Sequence, residues 1–197
     1  MPKRDRQGAT REKILDRGVS ALKEGGYHGT GLKEVLEKIE VPKGSFYHYF
    51  ESKEHFGAEV IRHFSEKFGE RLDVCLDDPT CEALSSLKSF FRDEIAQHER
   101  EGRLGCLIGN LGAELGERPE LCRQALSEGY DVMVTRFEKA LERAQGAGCI
   151  REDIPPRELA NFLINGWEGA LLRMKVEQSV GPLRRFTKLY FEEFLEA

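Results

Sequence analysis

Residues 41–54 constrain the fold more than any other segment. They join a Pro-Lys-Gly turn to a short aromatic stretch, followed by a Ser-Lys-Glu sequence at which the next helix is predicted to start. Phe46 and Phe50 are four positions apart, so a helix would place both against a core. Lysines near its two ends could reach phosphates, and small residues would let the backbone approach a sugar-phosphate strand. The pattern is typical of a helix that lies in a DNA groove, with an aromatic-rich core helix as the alternative. The residues predicted to face DNA are Lys43, Gly44, Ser45, Tyr47, His48 and Lys53.

Two further helices are predicted before this segment. Apolar residues recur with helical spacing over residues 14–22, and Thr10 is placed to cap the start of that helix. Gly25-Gly26 supplies the left-handed backbone positions that end a helix. A second helix is predicted from about Leu32, and a turn at 40–42 separates it from the aromatic helix. Two helices joined by a tight turn, the second placed to read DNA, predict a helix-turn-helix.

Residues 10–56 resemble the DNA-binding region of the TetR family of bacterial transcriptional repressors. The resemblance is carried by positions in all three helices, namely Thr10, Ile14-Leu15, Gly26-Tyr27, Thr30, Val35, Ile39, the run from Val41 to Phe50, and Ser52-Lys53-Glu54. It implies a three-helix DNA-binding unit, with Thr30 among its DNA-binding residues, and a long fourth helix leading to a ligand-binding domain. Two positions depart from the family pattern. Gly31 stands where a Ser or Thr often caps the second helix, so Thr30 or the Gly31 backbone must cap it, and Glu40 stands where the turn usually has Gly.

Charge is unevenly distributed along the chain. Residues 1–55 carry eleven Lys and Arg against nine Asp and Glu, whereas the whole chain of 197 residues carries 30 against 35. An acidic protein with a locally basic end suits DNA binding by that end alone. Arg11 is predicted to contact DNA as part of a basic arm, for which an ordinary solvated terminus is the alternative. The arm comprises Lys3, Arg4, Arg6 and Arg11.

Composition favours a cytoplasmic protein with a packed core. The chain is 40% hydrophobic and 33% charged, and it has no apolar run long enough to span a membrane and no signal peptide pattern. Five irregularly spaced cysteines without a CxxC pair argue against a zinc site or a disulfide framework. His55, Glu59 and His63 share one helical face, but a solvated or packed face produces such spacing more often, so no metal and no cofactor are predicted.

The remainder of the chain shows helical and not strand periodicity. Helices are predicted over about 54–76, 81–99, 119–146, 157–176 and 182–195. The last helix carries more apolar residues than one subunit is expected to cover, so the last two helices are predicted to form a dimer interface. This expectation depends on Phe186, Leu189, Tyr190 and Phe194. The TetR resemblance implies the same interface, a four-helix bundle made by two copies of these helices.

Residues 102–116 contain five glycines, at a cost of about 0.8–1.0 kcal/mol per glycine relative to alanine wherever the segment is helical. The segment resembles one found in TetR repressors that respond to electrophiles, reactive aldehydes or acrylate-like compounds. In those repressors, a cysteine within a Gly-Cys-Leu-x-Gly-Asn segment is the sensing residue. The resemblance therefore implies that Cys106 is the sensor, with Asn110 in the same segment; a buried small hydrophobe is the alternative interpretation of Cys106.

Trp167, Leu171 and Lys175 share one face of a predicted helix, on which the lysine closes an apolar stripe. A cation beside a thiol favours the thiolate, so Lys175 is predicted to lie close to Cys106, and Trp167 to line the effector site. A lysine whose ammonium extends to solvent is the alternative. The remaining cysteines, Cys75, Cys81, Cys122 and Cys149, are interpreted as structural or incidental.

These features predict an all-α protein with a three-helix helix-turn-helix DNA-binding domain at 1–53 and a helical effector-sensing and dimerisation domain at 54–197. The predicted function is transcriptional regulation, by a repressor released from a palindromic operator by a small-molecule or electrophile signal. Its expected partners are double-stranded operator DNA, that effector and a second copy of the chain, with no membrane and no catalytic residues. The alternative is a helical small-molecule-binding protein or enzyme whose N-terminal domain docks a protein partner. Salt-dependent binding to duplex DNA would distinguish the two.

Overall fold

The computed structural model describes residues 3–29, 31–38, 43–76, 82–102 and 104–196, with side chains from residue 10 onward except those of 34, 38, 43 and 45. Every regular element in these ranges is helical, which confirms the predicted all-α fold class. The helices are α1 (Lys3–Gly25), α2 (Leu32–Lys38), α3 (Lys43–Tyr49), α4 (Lys53–Leu76), α5 (Ala83–Glu101), α6 (Leu107–Leu115), α7 (Glu120–Gly146), α8 (Pro156–Glu177) and α9 (Gly181–Leu189), followed by a π-helical turn (Tyr190–Phe194). None of the described helices is long and apolar enough to cross a membrane.

The start of α1 differs from the prediction. Helix α1 begins at Lys3, so the prediction that Thr10 caps it is wrong. The residues before Thr10 are mostly polar and give no apolar periodicity, yet Arg, Lys, Gln and Ala all favour a helix. The predicted end is confirmed, because α1 stops at Gly25 and Gly26 adopts φ +68°. The predicted turn at 40–42 lies outside the described residues.

Helix α2 begins next to Gly31, which stands where the TetR family often has a capping Ser or Thr. The Gly31 carbonyl accepts a hydrogen bond from the backbone N–H of Val35 at 2.9 Å, which is the first helical bond of α2. The Gly31 backbone therefore starts the helix without a Ser or Thr at that position. Thr30 and Glu40 lie outside the described residues.

Packing divides the chain into two compact units, Met1–Lys67 with Leu107–Tyr130 and Phe68–Cys106 with Asp131–Ala197. In the first unit, α3 is anchored by Phe46 and Phe50, which are both buried. Their ring centroids lie 5.3 and 5.0 Å from that of Phe56 on α4. The predicted inward face of α3 is thereby confirmed. The predicted domain boundary between residues 53 and 54 is a functional division and stays a prediction.

Gly18 lies where α1 packs against α4 in the first unit. A Cβ built on Gly18 would lie 2.7 Å from Val60 Cγ2 and 2.8 Å from Phe56 Cζ, both on buried side chains. The missing side chain therefore lets the two helices approach closely, which offsets the low helix propensity of glycine at this position.

Gly18→Ala is expected to lower the free energy of unfolding by about 1–3 kcal/mol, because the added methyl group overpacks Val60 and Phe56. The matched control is Gly112→Ala in α6, where the nearest atom to a built Cβ is Tyr130 Oη at 3.6 Å. That substitution should raise the free energy of unfolding by up to about 1 kcal/mol. Chemical denaturation measures both effects, and stabilisation by both substitutions would contradict the close packing at Gly18.

In the second unit, most aromatic residues at the C-terminal end are covered within the subunit. Tyr190 is buried and its hydroxyl donates to the Leu159 carbonyl at 2.8 Å. The Phe186 ring occupies the space where Gly166 would carry a side chain, and the ring centroids of Phe194 and Phe162 lie 4.8 Å apart. The expectation that these aromatics exceed what one subunit covers is therefore wrong for Tyr190, whereas Phe186 and Phe194 are only half-buried and their place in a dimer interface stays a prediction.

Helix α8 has an exposed and mostly apolar row of residues on another face. The row, called the α8 row below, comprises Phe162, Asn165, Gly169, Leu172 and Val176. Its alternating spacings of three and four residues are typical of a helix face that packs on another helix. Leu172 and Val176 are 62% and 79% exposed. Among the described residues, no atom lies within 4 Å of a Cβ built on Gly169, so the backbone is open to close approach there.

Candidate functional site

Helix α3 presents a second face to solvent, opposite its buried phenylalanines. Gly44, Tyr47 and His48 are all exposed. Among the described residues, nothing lies within 4 Å of a Cβ built on Gly44, so a DNA strand could approach that backbone. The side chains of Lys43 and Ser45 lie outside the described part of the structure, as does the whole of Thr30. The DNA contacts predicted for all these residues stay predictions.

Lys53, a predicted DNA ligand, contacts Tyr27 within the first unit. Its ammonium donates to the Tyr27 carbonyl oxygen at 2.6 Å and lies 4.3 Å from the centroid of the Tyr27 ring. Burial, aided by the nearby Cys122 and Glu54, raises the pKa of Tyr27 to about 12, so the ring is neutral and the contact is a cation–π interaction. The geometry gives Lys53 a supporting role in the fold, which the sequence interpretation as a phosphate ligand did not include.

Arg11, also predicted to contact DNA, is paired within the first unit as well. Its guanidinium forms an ion pair with Glu59 of α4 and lies 5.7 Å from the centroid of the Phe50 ring. Glu59 also pairs with Arg62 at 3.2 Å, and Arg62 pairs with Glu128 at 2.9 Å. Arg11 therefore belongs to a charge network that ties α1 to α4, instead of extending from the surface as part of a free basic arm.

Glu114 holds the segment between α1 and α2. Its carboxylate accepts hydrogen bonds from the backbone N–H groups of Tyr27 at 2.9 Å and His28 at 2.5 Å. Gly26 makes room for it, since a Cβ there would lie 2.7 Å from Glu114 Oε2. These contacts, called the Glu114 clamp below, connect the DNA-binding helices to α6, the helix that begins directly after Cys106. Sequence reasoning missed Glu114, because a carboxylate in α6 carries no local signal of such a distant partner.

Cys106 lies in the second unit, against an apolar cluster built by α5, α8 and α9. The buried members of the cluster are Ile95, Ala170, Leu171, Met174, Val180 and Leu183. Trp167 packs against the same cluster, and its ring centroid lies 4.8 Å from that of Phe91. The structure thus brings Cys106 and Trp167 to one cluster. Asn110 is part of α6 in the first unit, and Lys175 is half-buried in the last turn of α8. The effector roles of all four stay predictions.

The carboxyl group of Glu168 accepts a hydrogen bond from the Cys106 thiol. Burial, the larger effect, raises the pKa of Glu168, and the hydrogen bond from Cys106 acts in the opposite direction. Sequence reasoning looked only for a cation beside Cys106 and missed this carboxyl group. A signal was available, because Glu168 follows Ile164 by four residues and precedes Leu171 by three, and both of these are buried.

The other described cysteines have different environments. Cys122 is buried, and burial followed by the charge of Glu54 raises its thiol pKa to about 11. Its thiolate is therefore rare at neutral pH. Cys75 is exposed and Cys149 is half-buried. Cys81 lies outside the described residues.

Across the described ranges, no group of three His, Cys, Asp or Glu side chains is arranged to hold a metal ion. Three side chains share the face of α4 that was considered as a metal site, those of His55, Glu59 and His63. Each of them has a different partner. His55 Nδ1 accepts the backbone N–H of Glu51 at 3.2 Å, His63 Nε2 lies 2.7 Å from Asp16 Oδ1, and Glu59 pairs with Arg11.

An open groove of about 410 Å³ lies between α5 and α9 in the second unit. Four cations line it, and two of them have acidic partners: Arg184 lies 2.7 Å from Glu99, and Arg92 lies 3.6 Å from Asp93. The four are Lys88, Arg92, Arg184 and Lys188. The predicted effector residues Cys106, Trp167 and Lys175 do not line the groove, so it is a separate feature of this unit.

Two family descriptions match the chain. Residues 14–60 match the bacterial regulatory proteins of the tetR family, and residues 83–190 match the tetracyclin repressor-like C-terminal domain. This chain belongs to the TetR family. Like the relatives below, it is a DNA-binding transcriptional regulator, which confirms the family resemblance and the predicted class of function.

Several relatives match this chain over nearly its full length. The transcriptional repressor DhaR of Mycobacterium sp. strain GP1 is 36% identical, over 94% of this chain and 92% of DhaR. The transcriptional regulator AcuR of Cereibacter sphaeroides is 35% identical, over 99% of this chain and 94% of AcuR. The crystal structure of the reduced form of Escherichia coli NemR superimposes with a TM-score of 0.88 and 29% identity, covering 96% of this chain and 97% of that one. All three relatives are named as transcriptional regulators or repressors.

Proposed function

We propose that this regulator is a homodimeric repressor that reads a palindromic operator with the exposed face of α3 and leaves it when an electrophile modifies Cys106. The orientation of α3 carries the DNA-binding part of the proposal. Phe46 and Phe50 fix the helix from inside, so Tyr47 and His48 point outward on a rigid support. A phenol and an imidazole can hydrogen-bond to base edges or to phosphates. In a dimer, two such helices about 34–36 Å apart would enter successive major grooves.

Tyr47→Ala and His48→Ala are each expected to weaken operator binding by about 1–3 kcal/mol, because each removes one DNA contact. The operator is first selected from a random pool of duplex DNA, and affinity is then measured over a range of salt concentrations. The free energy of unfolding should not change, since both side chains are exposed. Weakening confined to the selected operator indicates base reading, whereas equal weakening on random DNA indicates a phosphate contact. Unchanged binding to both kinds of DNA would remove these residues from the interface.

The effector part of the proposal is supported by where Cys106 lies in the chain. Its side chain packs against the same apolar cluster as Trp167, and the next residue begins α6, which carries the Glu114 clamp. An adduct on Cys106 would enlarge a packed side chain, and we propose that the resulting shift passes along α6 to the segment between α1 and α2. The fourth helix would then tilt and change the spacing of the two α3 helices. A coupling of about 1–3 kcal/mol suffices, since it changes affinity roughly 5–150-fold.

Release of the selected operator tests this part directly. N-ethylmaleimide should dissociate the complex, whereas succinimide, which has the same ring without the reactive alkene, should leave it intact. Release by neither compound would favour an unreactive inducer bound beside Trp167 and the glycine-rich segment. The repressor NemR is 33% identical over 88% of this chain, and its crystal structure is described as a reduced form, which supports a chemically responsive group in this chain.

The α8 row supports the proposed dimer. Leu172 and Val176 would leave large apolar surfaces in water in a monomer, and Gly169 between them and Phe162 leaves room for a second helix. Leu189 of α9 is also exposed. A second copy of the chain is the proposed occupant of this face, because a palindromic operator requires a two-fold arrangement of subunits.

A further inference from the structure

The thiol of Cys106 has a proton acceptor beside it. The Cys106 side chain packs against an apolar cluster that includes Ala170 and Leu171, from one turn of α8. Glu168 lies within that same turn, and its carboxyl group accepts the hydrogen bond from the thiol. The S–H bond is therefore directed at a carboxyl oxygen before any reagent arrives. This placement matters because a thiol must lose its proton for its sulfur to act as an efficient nucleophile.

The surroundings of Glu168 make its carboxylate a stronger base than an ordinary glutamate. Burial raises the pKa of Glu168 and so brings it closer to that of a thiol. Proton transfer between two groups becomes easier as their pKa values approach each other. A fully hydrated glutamate at the same distance would take the proton less readily.

We infer that Glu168 is the general base for Cys106, taking the thiol proton as an electrophilic carbon bonds to the sulfur. The inference rests on the proposed sensing role of Cys106 and adds the residue that would make this thiol reactive. Glu168 touches the reacting group, so its role would be catalytic and not one of positioning.

The reaction balances with an α,β-unsaturated carbonyl compound as the electrophile. The sulfur lone pair forms the new S–C bond, and the alkene electron pair moves towards the carbonyl group to give an enolate. The S–H proton passes to the Glu168 carboxylate. The same proton then moves to the α-carbon of the enolate, which leaves a neutral thioether on Cys106 and restores the carboxylate. No oxidant or further reactant is needed.

A carboxylate beside a thiol also has an opposite effect, because its negative charge disfavours the thiolate. If this repulsion were the larger effect, removing the charge would accelerate alkylation. If base catalysis is larger, removing the charge slows it. The two effects differ in sign, so one substitution separates them.

Glu168→Gln is the decisive substitution. It preserves the size of the side chain and an oxygen that accepts the thiol hydrogen bond, but the amide cannot take the proton. We expect the rate constant for labelling of Cys106 by N-ethylmaleimide at pH 7, followed by mass spectrometry, to fall by at least about tenfold, because a general base contributes roughly 10²–10⁴-fold. As the pH is raised, the wild-type rate should rise while the Glu168 carboxyl ionises and then level off. The rate in the variant should rise only as the thiol itself ionises, and a purely structural role would not change that profile.

The matched control is Glu158→Gln, which removes an exposed carboxylate from the first turn of the same helix and should leave the labelling rate unchanged. A second variant, Glu168→Asp, keeps a base at a greater distance and should give an intermediate rate with the wild-type form of pH profile. Unchanged or faster labelling of Glu168→Gln would overturn the base role. If that result came with release that still depends on Cys106, only this inference would fail. Release that is independent of Cys106 would instead contradict the proposed function.

Discussion

Leu172→Glu is expected to convert the dimer into monomers and to weaken operator binding by about 10²–10⁴-fold, because the two half-sites would no longer be bound together. Leu172 is 62% exposed near the middle of the α8 row, so the substitution should leave the fold of each subunit intact. In a two-fold interface, the new carboxylates of both subunits would be buried without partners, at a cost of several kcal/mol. The lost burial of each leucine costs about 1.5–3 kcal/mol more. Sedimentation equilibrium and operator titration measure the two outcomes.

The chain offers a matched pair of valines as a control. Val176 belongs to the α8 row and Val74 lies on α4, and both are 79% exposed. Val176→Glu should weaken the dimer, whereas Val74→Glu should leave both the dimer and operator binding unchanged. If Leu172→Glu and Val176→Glu both remained dimeric, the interface would have to lie away from this face of α8.

Cys106→Ser is expected to bind the operator as tightly as the wild type and to lose release by N-ethylmaleimide completely. Serine is close to cysteine in size, so the packing against the apolar cluster is kept, but its hydroxyl does not add to the alkene at a comparable rate. Fluorescence anisotropy of labelled operator DNA measures binding and release in one experiment.

The other thiols provide the control for this prediction. Cys75 is exposed and Cys149 is half-buried, so both are accessible to reagents without being part of the proposed sensor. Cys75→Ser and Cys149→Ser should therefore still release the operator. Release that persists in Cys106→Ser and disappears in Cys75→Ser would contradict the proposal and move the sensor to α4.

The sequence predicted those parts of the fold that short-range periodicity determines. The spacing of Phe46 and Phe50 was sufficient to assign the inward face of α3, and the glycine pair at 25–26 was sufficient to end α1. The start of α1 could not be placed in this way. Its first residues form a helix through backbone hydrogen bonds and intrinsic propensity, neither of which leaves an apolar pattern.

Contacts between residues that are distant in the sequence account for most of the structural roles that the sequence did not predict. Lys53 looks like a free cation in the sequence, but its partner is the carbonyl of Tyr27 in the segment after α1. Phe186 looks like an unpaired aromatic residue until Gly166 provides the space that its ring occupies. Both outcomes depend on which helices become neighbours, which no local pattern reports. Glu168 is different, since helical spacing alone places it on the apolar face of α8.

The Glu114 clamp limits how this regulator can be recombined with its relatives. A hybrid joined at residues 53 and 54 would take Tyr27 and His28 from one parent and the acceptor in α6 from another. Where the second parent lacks a carboxylate at that position, the buried N–H of Tyr27 would lose its partner, at about 1–3 kcal/mol for a buried donor. A transplantable DNA-binding module therefore consists of two separate pieces of chain, and its sequence includes the last turn of α6.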